Sequence, residues 1–407
     1  MNEPWFREYV LLAFRIDKAI RKFSESRFVD YYYGPPEWRA AAEAEADMTA
    51  AELVRNAMAL AEHLPAQGFE THRATYLEKQ VMALETVCRK LNGETFSLED
   101  EVQRCFDIHP TWTPESEFEQ AIALLDEALP GAGSIVERQL ALRQRYELAR
   151  EKSGLLVGLM QRALAEARHR TQAFVDLPEG EGIELQTVSD KVFGGENWYL
   201  GNYRSRVELN TDLPTEVSWL VDVMCHEGYP GHHTEFVLKE RHLYRERGYM
   251  EQAIAPIIGP QSVISEGIAT MAREMIFTPD EAEQWASEHL YPEAGIEPVQ
   301  LDIVKLHRAG ELMQGLGGNA AFLLHEGRPD EEVAQYLMKH SLESDRQRIQ
   351  KELDFLKDPF REAYIFTYFY GKRLMQPWLQ GADRLAVFRR FLTEQLYPAE
   401  LVKEEIS

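Results

Sequence analysis

The stretch Cys225-His226-Glu227-Gly228-Tyr229-Pro230-Gly231-His232-His233 decides how the rest of the sequence is read. It gathers three of the chain's twelve histidines within eight residues, with a carboxylate beside the first. A helix carrying His-Glu-x-x-His places two imidazoles about 6 Å apart along its axis, where both reach one zinc ion. The Glu beside the first His then faces the water that the metal activates and can take its proton. Here the spacing is wider. His226 and His232 stand about 120° apart on an ideal helix, while His233 shares the face of His226 but lies about 10 Å along the axis. Pro230 cannot donate to the carbonyl of His226 and its ring clashes there, and Gly228 and Gly231 loosen the same turn. A bulge that loops out Pro230-Gly231 restores the zinc spacing with His232 in the second ligand position, so His232 is taken over His233.

The bland reading of this cluster is a solvated helix end with Pro-Gly as terminator. The preceding residues argue against it. Val217, Trp219, Leu220, Val221, Val223 and Met224 leave the helix apolar nearly all round, which buries it and obliges His226 to find a polar partner.

Two imidazoles leave zinc short of a ligand. A helix follows Gly259-Pro260, with Ile264, Ile268, Met271 and Met275 as its apolar stripe. Glu266, Thr270 and Arg273 share the opposite face. On periodicity alone Glu266 reads equally as a third ligand or as a solvent-facing residue near a helix start. Glu274 is the substitute candidate.

Outward from this centre most of the sequence has helical period. Helices are predicted over 5–28, 37–63, 69–92, 97–107, 114–128 and 133–174, with breaks at Gly34-Pro35-Pro36, Asn92-Gly93, Pro110 and Pro130-Gly131. The loop Asp176–Gly182 is the internal boundary, giving an N-terminal helical region 1–178 and a catalytic region 179–407, or one continuous domain. After it, Ile183–Val188 and Trp198–Asn210 read as short strands with a hairpin through Gly201-Asn202. The expected fold is mainly α, with a small sheet just before the zinc helix.

Composition narrows the function classes. The 407 residues carry 44 basic and 68 acidic side chains, a net charge of −24. Such a surface repels phosphate backbones and anionic lipid, so nucleic acid and membrane partners are not expected. No stretch approaches the ~18–20 apolar residues of a membrane span. The N-terminus reads as an amphipathic helix and not as a signal peptide, and the three cysteines do not form a disulfide framework. A cytoplasmic protein is expected.

The segments HEGYPGHH (226–233), Asn210-Thr211, SEGIAT (265–270) and Tyr368-Phe-Tyr-Gly371-Lys372 together resemble the bacterial domain of unknown function 885 family. That family looks like a distant branch of the gluzincin metallopeptidases, similar in helical architecture to thimet oligopeptidase and the thermostable carboxypeptidases. The match runs in order over about 200–372. The resemblance implies a gluzincin-like fold, with zinc held by His226, His232 and Glu266, and with Glu227 as general base. The chain departs from the family where Ile268 stands in place of a frequent Trp, and where Thr234-Glu235 stand in place of Leu-Gln.

The same pattern asks for an oxyanion donor and for an edge strand that pairs with substrate backbone. His233 reads equally as a proton donor or as a capping histidine. Tyr368 is taken over Tyr370 as the tyrosine facing the cleft, against a reading of this aromatic-rich helix as core. Ser205–Asn210 is the candidate edge strand, against a reading as an ordinary strand, and Asp222 reads first as a solvent-exposed residue and second as a carboxylate that orients His226. The expected function is zinc-dependent hydrolysis of short peptides. The competing readings are a metal-dependent hydrolase of a non-peptide amide or ester, and a non-catalytic helical metal-binding protein.

Overall fold

The computed structural model describes residues 2–24, 27–191 and 193–402. The fold is mainly α. The first helix, Glu3–Ile20, buries Trp5, Tyr9, Leu12, Ile16 and Ile20 on a three- and four-residue spacing, with Pro4 in its first turn. It ends earlier than predicted. Val29–Tyr32 then forms a strand, β1, rich in the β-branched and aromatic residues that suit a pleated surface. The predicted helix 37–63 is two, Pro36–Ala44 and Ala50–His63. Thr49 starts the second by accepting from the Glu52 amide while Glu52 reaches back to the Thr49 amide. The predicted helix 133–174 also divides, into Ile135–Tyr146 and Leu156–Thr171.

Two small sheets follow. Gly182–Val188 (β2), Gly195–Gly201 (β3) and Arg204–Asn210 (β4) make one in the order β2-β4-β3. The β3–β4 hairpin is antiparallel and turns at Asn202-Tyr203, both at positive φ, while β2 runs parallel to β4. Ser205–Asn210 therefore lies in the central strand, which corrects the expectation that it forms an edge. The edge that faces the site is β3. Ile254–Pro256 (β5) pairs antiparallel with β1.

The largest apolar cluster draws on both ends of the chain. Trp5, Leu12, Leu77 and Phe106 pack in it with Val263, Leu316, Leu353 and Phe366. A second cluster gathers Leu159, Val207, Leu220, Met224 and Tyr291 around the segment that leads into His226. Among the described residues no helix is long and apolar enough to cross a membrane.

Candidate metal centre

The helix Leu220–Glu227 buries Leu220, Val221, Val223, Met224 and Cys225, which fixes its rotation and turns His226 and Glu227 toward the interior cavity. It stops where the sequence demands. Gly228 has φ −109° and ψ −103°, and a Cβ there would strike the Met224 carbonyl oxygen at 2.5 Å. A Cβ on Gly231 would overlap the His226 and Cys225 carbonyl oxygens. Between them lies a cis Tyr229–Pro230 bond. The Gly231 amide donates to the Cys225 carbonyl at 3.0 Å, and a new helix, His232–Lys239, begins. The predicted bulge is thus a complete break between two helices. Its effect on the imidazoles is the one the bulge was invoked to produce: His226 and His232 meet edge to face with ring centroids 4.8 Å apart.

The helix Pro260–Ile276 supplies Glu266. Its Oε2 lies 3.5 Å from His226 Nε2 and 3.8 Å from His232 Nε2. Donor atoms about 2.0–2.1 Å from a tetrahedral zinc stand about 3.3–3.4 Å from one another, close to these separations. Glu266 Oε2 is buried and has no hydrogen-bond partner, an arrangement that costs free energy unless something positive occupies the space it faces. Glu227 Oε1 is 4.0 Å from His226 Nε2, and the potential ligand atoms of His226, Glu227 and His232 lie within 4.8 Å of one another. The donor set, two imidazoles and a carboxylate, is one that zinc accepts.

Hydrogen bonds behind these side chains fix their orientation. Glu235 accepts from Ser265 Oγ at 2.6 Å and from Lys239 Nζ at 2.6 Å. A carboxylate only accepts, so the Ser265 proton points at Glu235 and the Ser265 oxygen is left to accept from His232 Nδ1 at 3.0 Å. That assigns the proton to Nδ1 and the lone pair to Nε2, on the side of Glu266. Tyr364 donates to Glu266 Oε1 at 2.5 Å, leaving Oε2 as the oxygen that faces the two imidazoles. Asn197, on β3, donates from Nδ2 to the Glu227 carbonyl at 2.5 Å. A Cβ on Gly195 would lie 2.9 Å from Val223 Cγ2 and 3.5 Å from Glu227 Oε1, so the strand's backbone passes directly over the carboxylate.

Electrostatics separate the two carboxylates. Burial, with Glu266, Glu196 and Asp30 nearby, pushes Glu227 up to about 7 against the pull of His226. Burial also works on Glu266, but His226, His232 and Tyr364 outweigh it and hold it below the usual carboxylate range. Burial lowers His232 to about 4, keeping it neutral and able to donate a lone pair.

The other sequence candidates fall in distinct places. His233 is fully buried and turned away from the cavity. It accepts from Ser205 at Nδ1 (2.8 Å) and donates from Nε2 to Glu181 (2.9 Å). With both nitrogens committed it is neither a ligand nor a proton donor at this centre, which corrects that expectation. Tyr368 lines the cavity, its ring edge-on to Tyr364 at 5.7 Å, whereas Tyr370 accepts from the Thr111 amide at 2.8 Å. Asp222 pairs with Arg273 at 3.0 Å, and Glu274 with Lys372 at 2.6 Å. Ser265, Glu235, Tyr364 and Asn197 were not singled out from sequence. The available signal for the first two was position: Ser265 precedes Glu266, and Glu235 stands three residues after His232 on its helix.

Helix placement rests on two glycines. The Glu266 helix crosses Phe366–Met375 at Gly267 and Gly371, where a Cβ on Gly371 would lie 2.5 Å from the Val263 carbonyl and 2.6 Å from the Gly267 nitrogen. This close crossing sets Tyr364 and Tyr368 against Glu266. The site opens on a cavity of about 790 Å³, lined also by Gly195, Glu196 and Asn197.

A scan of family models gives no match, and a search of curated proteins gives none. Solved structures share the fold. A candidate lipoprotein from Colwellia psychrerythraea superposes with TM-score 0.57 at 16% identity, over 87% of this chain and 66% of that one. A candidate lipoprotein of unknown function from Shewanella oneidensis gives TM-score 0.50 at 12% identity, over 90% of this chain and 75% of that one. At these identities the likeness is one of fold alone.

Proposed function

We propose that this chain is a zinc-dependent peptidase of short peptides, a distant relative of the gluzincins. The observation that carries the reading is Glu266 Oε2, without a hydrogen-bond partner, 3.5 and 3.8 Å from the Nε2 atoms of His226 and His232, the second of which has its lone pair turned toward it. His226, His232 and Glu266 would hold the ion. Zinc, when bound there, supplies Lewis-acid polarisation of a carbonyl and of an attacking water.

The chain's own residues do the rest. Glu227 accepts the proton of the water and returns it to the leaving nitrogen, a role suited to a carboxyl poised near neutral pH. Burial, then Glu266 and Glu227, push the Tyr368 hydroxyl well above its ordinary value, so it stays protonated and can donate to an oxyanion. The cavity-facing end of β3, at Gly195–Asn197, is a sheet edge that can pair with the backbone of an extended peptide. A cavity of about 790 Å³ suits a few residues, not a folded protein. A cytoplasmic setting is part of this reading, and fractionation of source cells tests it.

The test is metal analysis of the purified chain together with cleavage of a peptide library. About one zinc per chain and cleavage of library members are expected. Glu227→Gln should keep the zinc and lose about 10²–10⁴-fold in kcat. Full activity in that variant overturns the mechanism. Zinc binding with hydrolysis only of esters or non-peptide amides selects the other hydrolase reading, and zinc well below one per chain selects the non-catalytic one.

A further inference from the structure

The cavity continues away from the metal centre along the start of β3, and the reaction above does not use its far end. The Cβ position of Gly195 lies against Val223 and Glu227, and that of Gly194 lies 3.6 Å from the Trp219 ring, so the strand follows the Leu220–Glu227 helix back toward its first turn. The Gly194 carbonyl accepts from the Asn210 amide at 2.8 Å, the Asn210 side chain accepts from the Asp212 amide at 3.0 Å, and Asp212 accepts from Lys351 Nζ at 2.9 Å. These contacts tie the helix Arg346–Lys357 to the end of the groove. Gly194, Asn210, Trp219, Arg348 and Lys351 all line the cavity. The chain rises about 12 Å between Trp219 and Glu227, and an extended peptide spans about 3.3 Å per residue, so this wall stands about four residues from the metal centre.

That wall presents donors in search of acceptors. Arg348 and Lys351 are three residues apart, so they stand side by side on one helix face. Among the described residues the nearest carboxylate oxygens to the Arg348 guanidinium are Asp345 Oδ2 at 3.9 Å and Glu343 Oε2 at 4.0 Å, both beyond hydrogen-bond distance. Both carboxylates are engaged elsewhere: Arg143 holds Glu343 at 2.7 Å, and Asp345 accepts from the Gln347 amide at 2.8 Å. Lys351 commits one of its three N–H groups to Asp212. Of the other carboxyls on this wall, Glu216 is 3.6 Å from Arg143, and burial with Glu343 nearby raises Glu352 to about 7, which leaves it partly neutral and able to donate. The unmet demand is for an acceptor, and a planar guanidinium matches a carboxylate through two parallel hydrogen bonds. An ammonium would meet two cations here, and an apolar group would leave the Arg348 donors unpaired.

We propose that Arg348, with Lys351, receives a carboxylate of the bound peptide about four residues from the scissile bond, presented by the free C-terminus or by an Asp or Glu side chain. The proposal rests on the peptidase reading given above. It is tested on the full chain loaded with zinc, using peptides of one sequence without acidic residues, each as the C-terminal acid and the C-terminal amide, in lengths that place the terminus about two to eight residues past the cleaved bond. Amidated peptides with Glu or Gln about four residues to either side of that bond test the side-chain source. If the terminus is the source, the acid should exceed the amide by about tenfold to hundredfold in kcat/KM at the matching length, mainly through KM; if the side chain is, Glu should exceed Gln by a similar factor. Arg348→Gln should reduce the favoured ratio to within about threefold. The wild-type panel decides the matter by itself if Arg348→Gln fails to fold. No preference in either comparison, or an unchanged preference in Arg348→Gln, overturns the carboxylate site and leaves the peptidase standing. Cleavage of no peptide at all overturns both.

Discussion

At the residue scale the centre depends on side chains whose partners lie far off in sequence. Ser265 and Glu235 fix the tautomer of His232 from behind its ring, on the side away from Glu266. Ser265→Ala removes the acceptor for Nδ1–H, so zinc affinity should fall about 10–100-fold by competition with a chromogenic chelator, with the fold intact. Ser265→Thr keeps the hydroxyl and should restore most of the loss. His233 belongs to a separate buried network. Burial raises the Glu181 carboxyl, yet hydrogen bonds from His233, Tyr229 and Arg168 outweigh it and hold the group at about 2. A depressed carboxyl contributes stability above its unfolded value, about 4.3, and that contribution is lost as pH falls toward 2. Glu181→Gln should therefore be less stable than wild type at pH 7 by urea unfolding, with the gap closing between about pH 5 and pH 2. A gap that is constant across that window would show that the network does not stabilise through its charge.

At the element scale, the close approaches are what glycine permits. Gly228 and Gly231 let one helix stop and another begin within four residues, which swings His232 back onto His226. Gly267 and Gly371 let two helix backbones touch, which brings Tyr364 to Glu266. Adding a methyl at Gly371 forces these helices apart. Gly371→Ala should cost about 1–3 kcal/mol in denaturant unfolding and should also weaken zinc binding, because the Tyr364–Glu266 hydrogen bond stretches. A destabilised Gly371→Ala protein with unchanged zinc affinity would separate the crossing from the site. The local signals read in part here: glycine and proline in 228–231 pointed to a bulge, and the structure carries it further, to a full break. The strands β1 and β5 were less legible. Each is at most four residues long, and their stability comes from pairing across more than two hundred residues of sequence.

At the scale of the whole molecule, the two ends of the chain share one core. Trp5 and Phe106 pack in the same cluster as Val263, Leu316 and Phe366. Residues 1–178 and 179–407, expressed separately, should each expose this surface and fail to unfold cooperatively, while the intact chain shows protected amides in both regions by hydrogen exchange. Independent cooperative folding of either piece would overturn this account of the core. The cavity is a product of the same packing. Its walls come from β1, β3 and β5, the segment before the Glu266 helix, and the C-terminal helices. Glu251, Gln395 and Tyr76 meet there with no spacing that joins them in sequence.

The sequence by itself determined what periodicity and local chemistry control: a mainly helical chain, a disturbed helix at Gly228–Gly231, and a His-Glu start with a second histidine close after it. These follow from interactions within about one or two helical turns, which any reader of side-chain spacing can evaluate. Tertiary structure alone decided which of His232 and His233 turns inward, that Glu266 and not Glu274 approaches the imidazoles, and that β3 forms the edge beside them. Neighbouring residues on a helix point about 100° apart, and only the packing of each helix against distant parts of the chain fixes which of those directions faces the cavity.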